Sequence, residues 1–198
     1  MKILEVSGQY ACFTRPELSV ERYSYDIITP SAARNIFQSI FWKPVIDWKI
    51  KKIEILNPIK KLYLKRNEIG TIKKTPVFIE HHRTQKGSVI LKDVSYRIHA
   101  NLIYKGETTK EENHLKYSAM YDKRLSKGAC FKQPYLGCRE FSCLFSGKTN
   151  KQPIKESIDF GIMLYDINYK DDSRIFYHAI MNDGVIDVNS SEKYFKKG

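Results

Sequence analysis

Between Lys49 and Lys74 the chain sets nine cations, Lys49, Lys51, Lys52, Lys60, Lys61, Lys65, Arg66, Lys73 and Lys74, against only Glu54 and Glu68. That local net charge of +7 is more than half of the +12 carried by the whole chain. Charge so concentrated is an electrostatic footprint for a polyanion, and its chemistry would be the neutralisation of phosphates. Tyr63 lies inside the stretch, with Trp42 and Trp48 just before it, and rings set between cations are what unpaired bases stack on. The simpler alternative, a solvated lysine face that only aids solubility, leaves those aromatics without a purpose.

Other reactive residue types carry less. Cys130, Cys138 and Cys143 follow at gaps of seven and four residues, not the two-residue gap of zinc knuckles and redox motifs, and Cys12 stands far away. Reduced, buried thiols are expected. His81 and His82 are adjacent, and adjacent side chains on a strand point to opposite faces. No metal site and no cofactor are expected.

A folded scaffold must position these groups. With 198 residues, 42% of them hydrophobic and 13% aromatic, the chain can bury a full core and is too apolar for a disordered polycation. Charges interrupt every apolar run well before membrane-spanning length, so no span is expected. Met1 to Val6 meets a charge at once and lacks the features of a secretory signal, which predicts a cytoplasmic location.

Lys2 to Phe13 reads as a strand. Thr29-Pro30 reads as an N-cap followed by Pro at the first helical position, opening a helix over Ser31 to Trp42 with Ala33, Ile36, Phe37, Ile40 and Phe41 on one stripe. Ile46 to Leu56 and Lys60 to Ile69 read as strands, and Ile69 to Gly87 as a long loop or projecting hairpin. A strand is predicted over Val94 to Tyr104, a helix over Glu111 to Lys127 with Gly128 just past its end, and a strand over Tyr135 to Phe145. Strand-helix-strand-strand-helix-strand is the order of a split βαβ, so the expected class is α+β, with a ferredoxin-like domain over residues 1–145 and an insertion near 69–93. Residues 146–198 follow a polar linker and predict a small antiparallel sheet: strands at Phe160 to Tyr169 and Arg174 to Met181, then an Asn182-Asp183-Gly184 hairpin into Val185 to Val188. Glu192 to Gly198 are charged and expected to fray.

Five blocks carry a family likeness: Tyr10-Ala11-Cys12-Phe13-Thr14-Arg15-Pro16-Glu17, Ser24-Tyr25-Asp26-Ile27-Ile28-Thr29-Pro30-Ser31-Ala32-Ala33-Arg34, Phe41-Trp42-Lys43-Pro44, Arg66-Asn67-Glu68, and Gln133-Pro134-Tyr135-Leu136-Gly137-Cys138-Arg139-Glu140-Phe141. In this order and spacing they resemble the CRISPR-associated Cas-five family, type I-C (Dvulg) subtype, over most of the chain. The resemblance implies a repeat-associated mysterious protein (RAMP) fold. It also implies a subunit that cuts the repeat stem-loops of the CRISPR precursor transcript without a metal and then holds the crRNA 5′ handle among the other subunits of the Cascade surveillance complex.

The implied reaction is attack of a ribose 2′-hydroxyl on the adjacent phosphate, which needs a proton acceptor, a proton donor for the leaving 5′ oxygen, and positive charge on the phosphorane. In the family a Tyr at the end of the first helix and a Lys-His pair at the start of the second do this. Here the Tyr position is Phe41, which has no hydroxyl, and the Lys-His pair falls on Lys116-Tyr117. Lys116 can stabilise the phosphorane, and Tyr117 can position the 2′-hydroxyl or pass a proton. His114 is the nearest imidazole, but two positions on a helix diverge by about 200°, so it reaches the same phosphate only from a loop or a first turn. Tyr10, Arg15, Tyr25, Trp42, Lys43, Tyr63, Lys65, Arg66 and Arg139 are the implied RNA contacts. The substitutions at Phe41 and Tyr117 leave a second reading open, a non-catalytic subunit that only binds the 5′ handle. A generic basic RNA-binding protein, the third, does not account for the five blocks. So basic a chain is also expected to bind duplex DNA non-specifically.

Overall fold

Thr29 and Pro30 start a helix as their chemistry requires. In the computed structural model, which describes residues 1–18, 20–69, 76, 78–107, 109, 112–168, 171, 173–191 and 193–196, the Thr29 hydroxyl accepts from the Ala32 N–H at 3.3 Å. Pro30 takes the first helical position, where its missing N–H costs nothing. Helix α1 (Pro30–Ile40) buries Ala33, Ile36, Phe37 and Ile40. It stops two residues before the predicted Trp42, because Phe41 turns to extended backbone.

The remaining elements are β1 (Lys2–Ala11), β2 (Ile46–Ile55), β3 (Lys60–Ile69), α2 (Ile79–His82), β4 (Arg83–Tyr104), α3 (His114–Ser126), β5 (Leu144–Ser146), β6 (Ile158–Asn168), β7 (Ser173–Asn182), β8 (Val185–Asp187) and β9 (Lys193–Lys196). The strands form one sheet in the order β5-β1-β4-β2-β8-β7-β6, with β3 added on β4 and β9 on β7. Each of these pairings is antiparallel, and the protein is of the α+β class. The sheet is therefore continuous from β5 to β6, joined through the ladder of β2 with β8. Among the described residues no helix is long and apolar enough to cross a membrane.

Four predicted elements are corrected. Strand β4 begins at Arg83 rather than Val94, because its first half pairs with β3 from Lys60↔Lys92 to Ile69↔Arg83, so that residues 83–87 of the expected loop or projecting hairpin lie in a hairpin ladder. The segment from Tyr135 to Phe145 is not one strand. Gly137 sits at φ +83°, where a Cβ would meet the Cys12 carbonyl oxygen at 1.9 Å, and only Leu144–Ser146 pairs with β1. Helix α3 begins at His114, since the Asn113 side chain accepts from the Lys116 N–H at 3.0 Å and caps it there; Glu112 lies before the helix. The charged C-terminus pairs with β7 at Lys193–Lys196 instead of ending without regular structure; Glu192, Lys197 and Gly198 lie outside the described residues.

Side chains on alternate positions of the sheet separate into two environments. On the helix-covered face Leu4, Val6, Ile53, Ile55 and Ile98 are buried, and Phe37 of α1, Trp48 of β2 and Tyr121 of α3 meet with centroids 4.8–5.8 Å apart. The other face carries a charged row: register places Glu5 beside Arg97 and Arg97 beside Glu54, and the guanidinium donates to both carboxylates at 2.7 and 2.6 Å. The Thr149 and Lys151 carbonyls complete Arg97, so the linker covers the row.

Candidate active site

The end of α1, the end of β4 and the start of α3 meet at one edge of the helix layer. The capped first turn of α3 presents Lys116 and Tyr117 to Glu112, whose two carboxylate oxygens take one partner each: Oε1 pairs with the Lys116 ammonium, and Oε2 accepts from the Tyr117 hydroxyl. The Tyr117 ring is buried, stacked on Tyr104 at 5.5 Å and facing Phe41 at 6.4 Å, while Glu112 and Lys116 remain nearly half exposed. Three aromatic rings thus fix a phenol against a carboxylate and an ammonium at the surface.

Lys116, then Tyr117, then the charge of Lys43 hold the Glu112 carboxyl below the usual carboxylate range. The reciprocal effect, led by the Glu112 hydrogen bond and followed by burial, pushes the Tyr117 phenol up to about 12. At neutral pH the cluster therefore offers a carboxylate that can accept a proton, a phenol that keeps one to give, and a cation.

The other expected site residues distribute unevenly. Phe41 is 1% exposed and packs under Arg124, whose guanidinium lies 5.6 Å from its ring. Trp42 is 49% exposed and Lys43 also faces solvent, so both lie open beside the cluster. His114 is in the first turn of α3, but it shares a separate cleft with Lys2, Asn101 and Ser118. The structure does not bring it to Lys116.

Strand alternation splits the basic run. Its β2 part and its β3 part pair with different halves of β4, so the lysines do not form one patch. Lys51 bonds Asn189 and Lys52 pairs with Glu54, whereas Tyr63, 60% exposed, and Lys65 face outward on β3. Arg66 points to the other face of β3, paired with Glu140 at 2.5 Å and lying 5.8 Å from the Phe141 ring, which in turn sits 6.2 Å from Tyr10. Arg139 is exposed. Lys73 and Lys74 lie outside the described residues.

Two aromatics expected to meet bases are core residues instead. Tyr25 is 1% exposed, with the Arg15 guanidinium 4.7 Å from its ring, and Trp48 is buried with its indole N–H donating to the Phe41 carbonyl at 3.1 Å. Glu112 and Tyr104 were not among the expected residues. The Glu112-Lys116 spacing of four is the one sequence signal that could have found the first; nothing marked Tyr104. Among the described residues no three His, Cys, Asp or Glu side chains come together to hold a metal ion.

A family model described as "CRISPR-associated protein (Cas_Cas5)" matches residues 3–189. The chain is 40% identical over 93% of its length to a protein of Mannheimia succiniciproducens named CRISPR pre-crRNA endoribonuclease Cas5d, covering 93% of it. A Thermus thermophilus protein of the same name is 35% identical over 96% of the chain and 92% of its own length. A crystal structure described as that of a CRISPR-associated protein superposes with a TM-score of 0.71, at 23% identity, covering 96% of this chain and 91% of that one.

Proposed function

The chain belongs to the Cas5d family of CRISPR-associated proteins, and from that premise we propose that it is a pre-crRNA endoribonuclease cutting repeat RNA by 2′-hydroxyl attack at the Glu112-Lys116-Tyr117 cluster. The observation that carries this is Lys116: the residue at the family's lysine position stands in the capped first turn of α3, open to solvent and paired with a carboxylate that also holds the Tyr117 phenol. Its ammonium would lie against the non-bridging oxygens of the pentavalent phosphorane. The Tyr117 phenol, still protonated at neutral pH, would give its proton to the departing 5′ oxygen, which as an alkoxide is far more basic than a phenolate. No metal is required where side chains fill these roles.

The open ground beside the cluster fits an RNA strand. Trp42 and Lys43 adjoin it, and Tyr63, Lys65 and Arg139 offer further stacking and phosphate contacts. Tyr10 and Arg66 pack on Phe141 and Glu140 beside Arg139, and Arg15 lies against the rings of Tyr23 and Tyr25. After cutting, the same surface would retain the crRNA 5′ handle within type I-C Cascade in the cytoplasm, and its charge would permit non-specific duplex DNA binding.

The fold is read here as a ferredoxin-like RAMP domain over 1–145, supported by the β5-β1-β4-β2 order with two helices on one face, and a smaller C-terminal β unit over 146–198. A second reading, a handle-binding subunit without catalysis, is favoured by Phe41, which is buried and brings no hydroxyl. The two separate on one experiment: protein and Lys116→Ala incubated with the cognate repeat hairpin in EDTA. Cleavage lost in the variant with binding retained supports the nuclease; tight binding by wild type without any cut supports the handle binder.

A further inference from the structure

We propose that Glu112 is the general base of this reaction, taking the proton of the attacking 2′-hydroxyl, a role that rests on the nuclease reading above. The sequence pattern of the family's site leaves the chain without the imidazole that would do this, since Tyr117 occupies its position and His114 lies in another cleft. Among the described groups bonded to Lys116 or Tyr117, Glu112 is the one that is both ionised and able to accept a proton. It sits on the exposed side of the buried Tyr117 ring, nearly half accessible, where a ribose beside a Lys116-bound phosphate would reach it.

The proton balance closes within the cluster. As RNA enters, its phosphate competes for the Lys116 ammonium, releasing Oε1 of Glu112. The 2′-hydroxyl donates its proton to that oxygen as the O2′–P bond forms. The P–O5′ bond breaks, and the 5′ oxygen takes the Tyr117 proton. The products are a 2′,3′-cyclic phosphate, a 5′-hydroxyl, a protonated Glu112 and a Tyr117 phenolate. A half-turn of the protonated Glu112 carboxyl then places that proton where Oε2 stood, in hydrogen-bond reach of Tyr117, and returns it to the phenolate, restoring the starting state. One carboxylate touching both the cation and the acid makes this reset intramolecular.

Among the described residues, the charged and titratable groups around Glu112 are Lys116 and Tyr117 on α3 and Lys43 beyond α1, with Tyr104 of β4 behind Tyr117. All but Glu112 donate protons or carry positive charge. Loss of Lys116 to the RNA phosphate relaxes the strongest hold on the carboxyl, so its pKa rises on substrate binding and its strength as a base increases with it.

Single-turnover cleavage of cognate repeat RNA in EDTA, by wild type, Glu112→Gln, Glu112→Asp and Lys116→Ala across pH, tests the assignment. Glu112→Gln keeps one acceptor oxygen, for Lys116, and offers Tyr117 an amide N–H in place of the second, but cannot take a proton. It is expected to bind RNA within about threefold of wild type and cut at least about a hundredfold more slowly. Its residual rate should climb in proportion to hydroxide between about pH 6 and 9, where wild type is level, and Glu112→Asp should recover part of the rate. A Glu112→Gln protein that cuts at the wild-type rate while Lys116→Ala does not would overturn the base assignment and leave the nuclease reading standing. Slow cutting by Glu112→Gln with a wild-type pH profile would overturn it in favour of a positioning role. A wild-type protein that binds but never cuts removes both.

Discussion

Tyr104 at the end of β4 and Tyr117 at the start of α3 lie ring on ring, centroids 5.5 Å apart with planes inclined by 28°. The stack joins the sheet to the helix layer at the one place where the proposed chemistry needs a fixed phenol, and it does so through the ring, leaving the hydroxyl for Glu112.

Removing only that hydroxyl separates the two jobs. Tyr117→Phe keeps the stack on Tyr104, so melting temperature and RNA affinity should stay near wild type, while cleavage falls by about one to three orders of magnitude through loss of the proton donor. Parallel melting, binding and single-turnover assays read this; unchanged cleavage would remove Tyr117 from the chemistry.

Phe41 behaves oppositely. Its 1% exposure and its contacts with Tyr117 and Arg124 make it core, so Phe41→Ala should cost about 3–5 kcal/mol in denaturant unfolding. A loss below about 1 kcal/mol would show that the α1-α3 junction is not packed as described.

Stability should fall on mild acidification, and His99 should be the cause. Burial, then the Lys52 charge, hold its imidazole below the ordinary 6.5. The unfolded chain therefore takes up this proton at a higher pH than the folded one. The stability tied to neutral His99 is complete above its unfolded value and is lost as pH falls toward its folded one. For Glu5 and Glu54, burial works against ionisation, but Thr149, Arg97 and Lys52 outweigh it, so their contribution is lost only below the usual 4.5. Wild type should lose unfolding free energy between about pH 7.5 and 5.5, and His99→Gln should lose less over that window; equal slopes would contradict this.

Lys65 and Arg66 are neighbours in sequence with different expected consequences. Lys65 faces solvent, so Lys65→Ala should weaken all RNAs alike and lower the salt slope of binding by about one. Arg66→Ala breaks the contact with Glu140 and Phe141, so its main effect should be a lower melting temperature. Salt titrations and melting curves distinguish the pair.

Local chemistry made parts of the fold legible. Thr29-Pro30 with its apolar stripe marked α1, exposure alternates from Lys61 to Ile69, and Asn182-Asp183-Gly184 turns as expected, with Asp183 and Gly184 at φ +47° and +73°. The first half of β4 was not legible because Arg83, Thr84 and Gln85 are exposed in a hairpin and show no alternation. Nor was the union of the C-terminal strands with β2, which depends on pairing between residues more than 130 apart. Within the site, Lys116 and Tyr117 were found because the family's Lys-His pair falls on them. Glu112 was not, because its role depends on Asn113 turning the chain so that a residue before the helix meets two inside it.

Every role proposed for the cluster requires the 2′-hydroxyl to be the nucleophile. One measurement meets it directly: cognate repeat RNA carrying a single 2′-deoxy nucleotide on the 5′ side of the scissile phosphate, incubated with the protein in EDTA beside the all-ribose strand. Equal binding is expected, with the ribose strand cut to a 2′,3′-cyclic phosphate and a 5′-hydroxyl and the deoxy strand left intact. Cleavage of the deoxy strand at the same bond would contradict it.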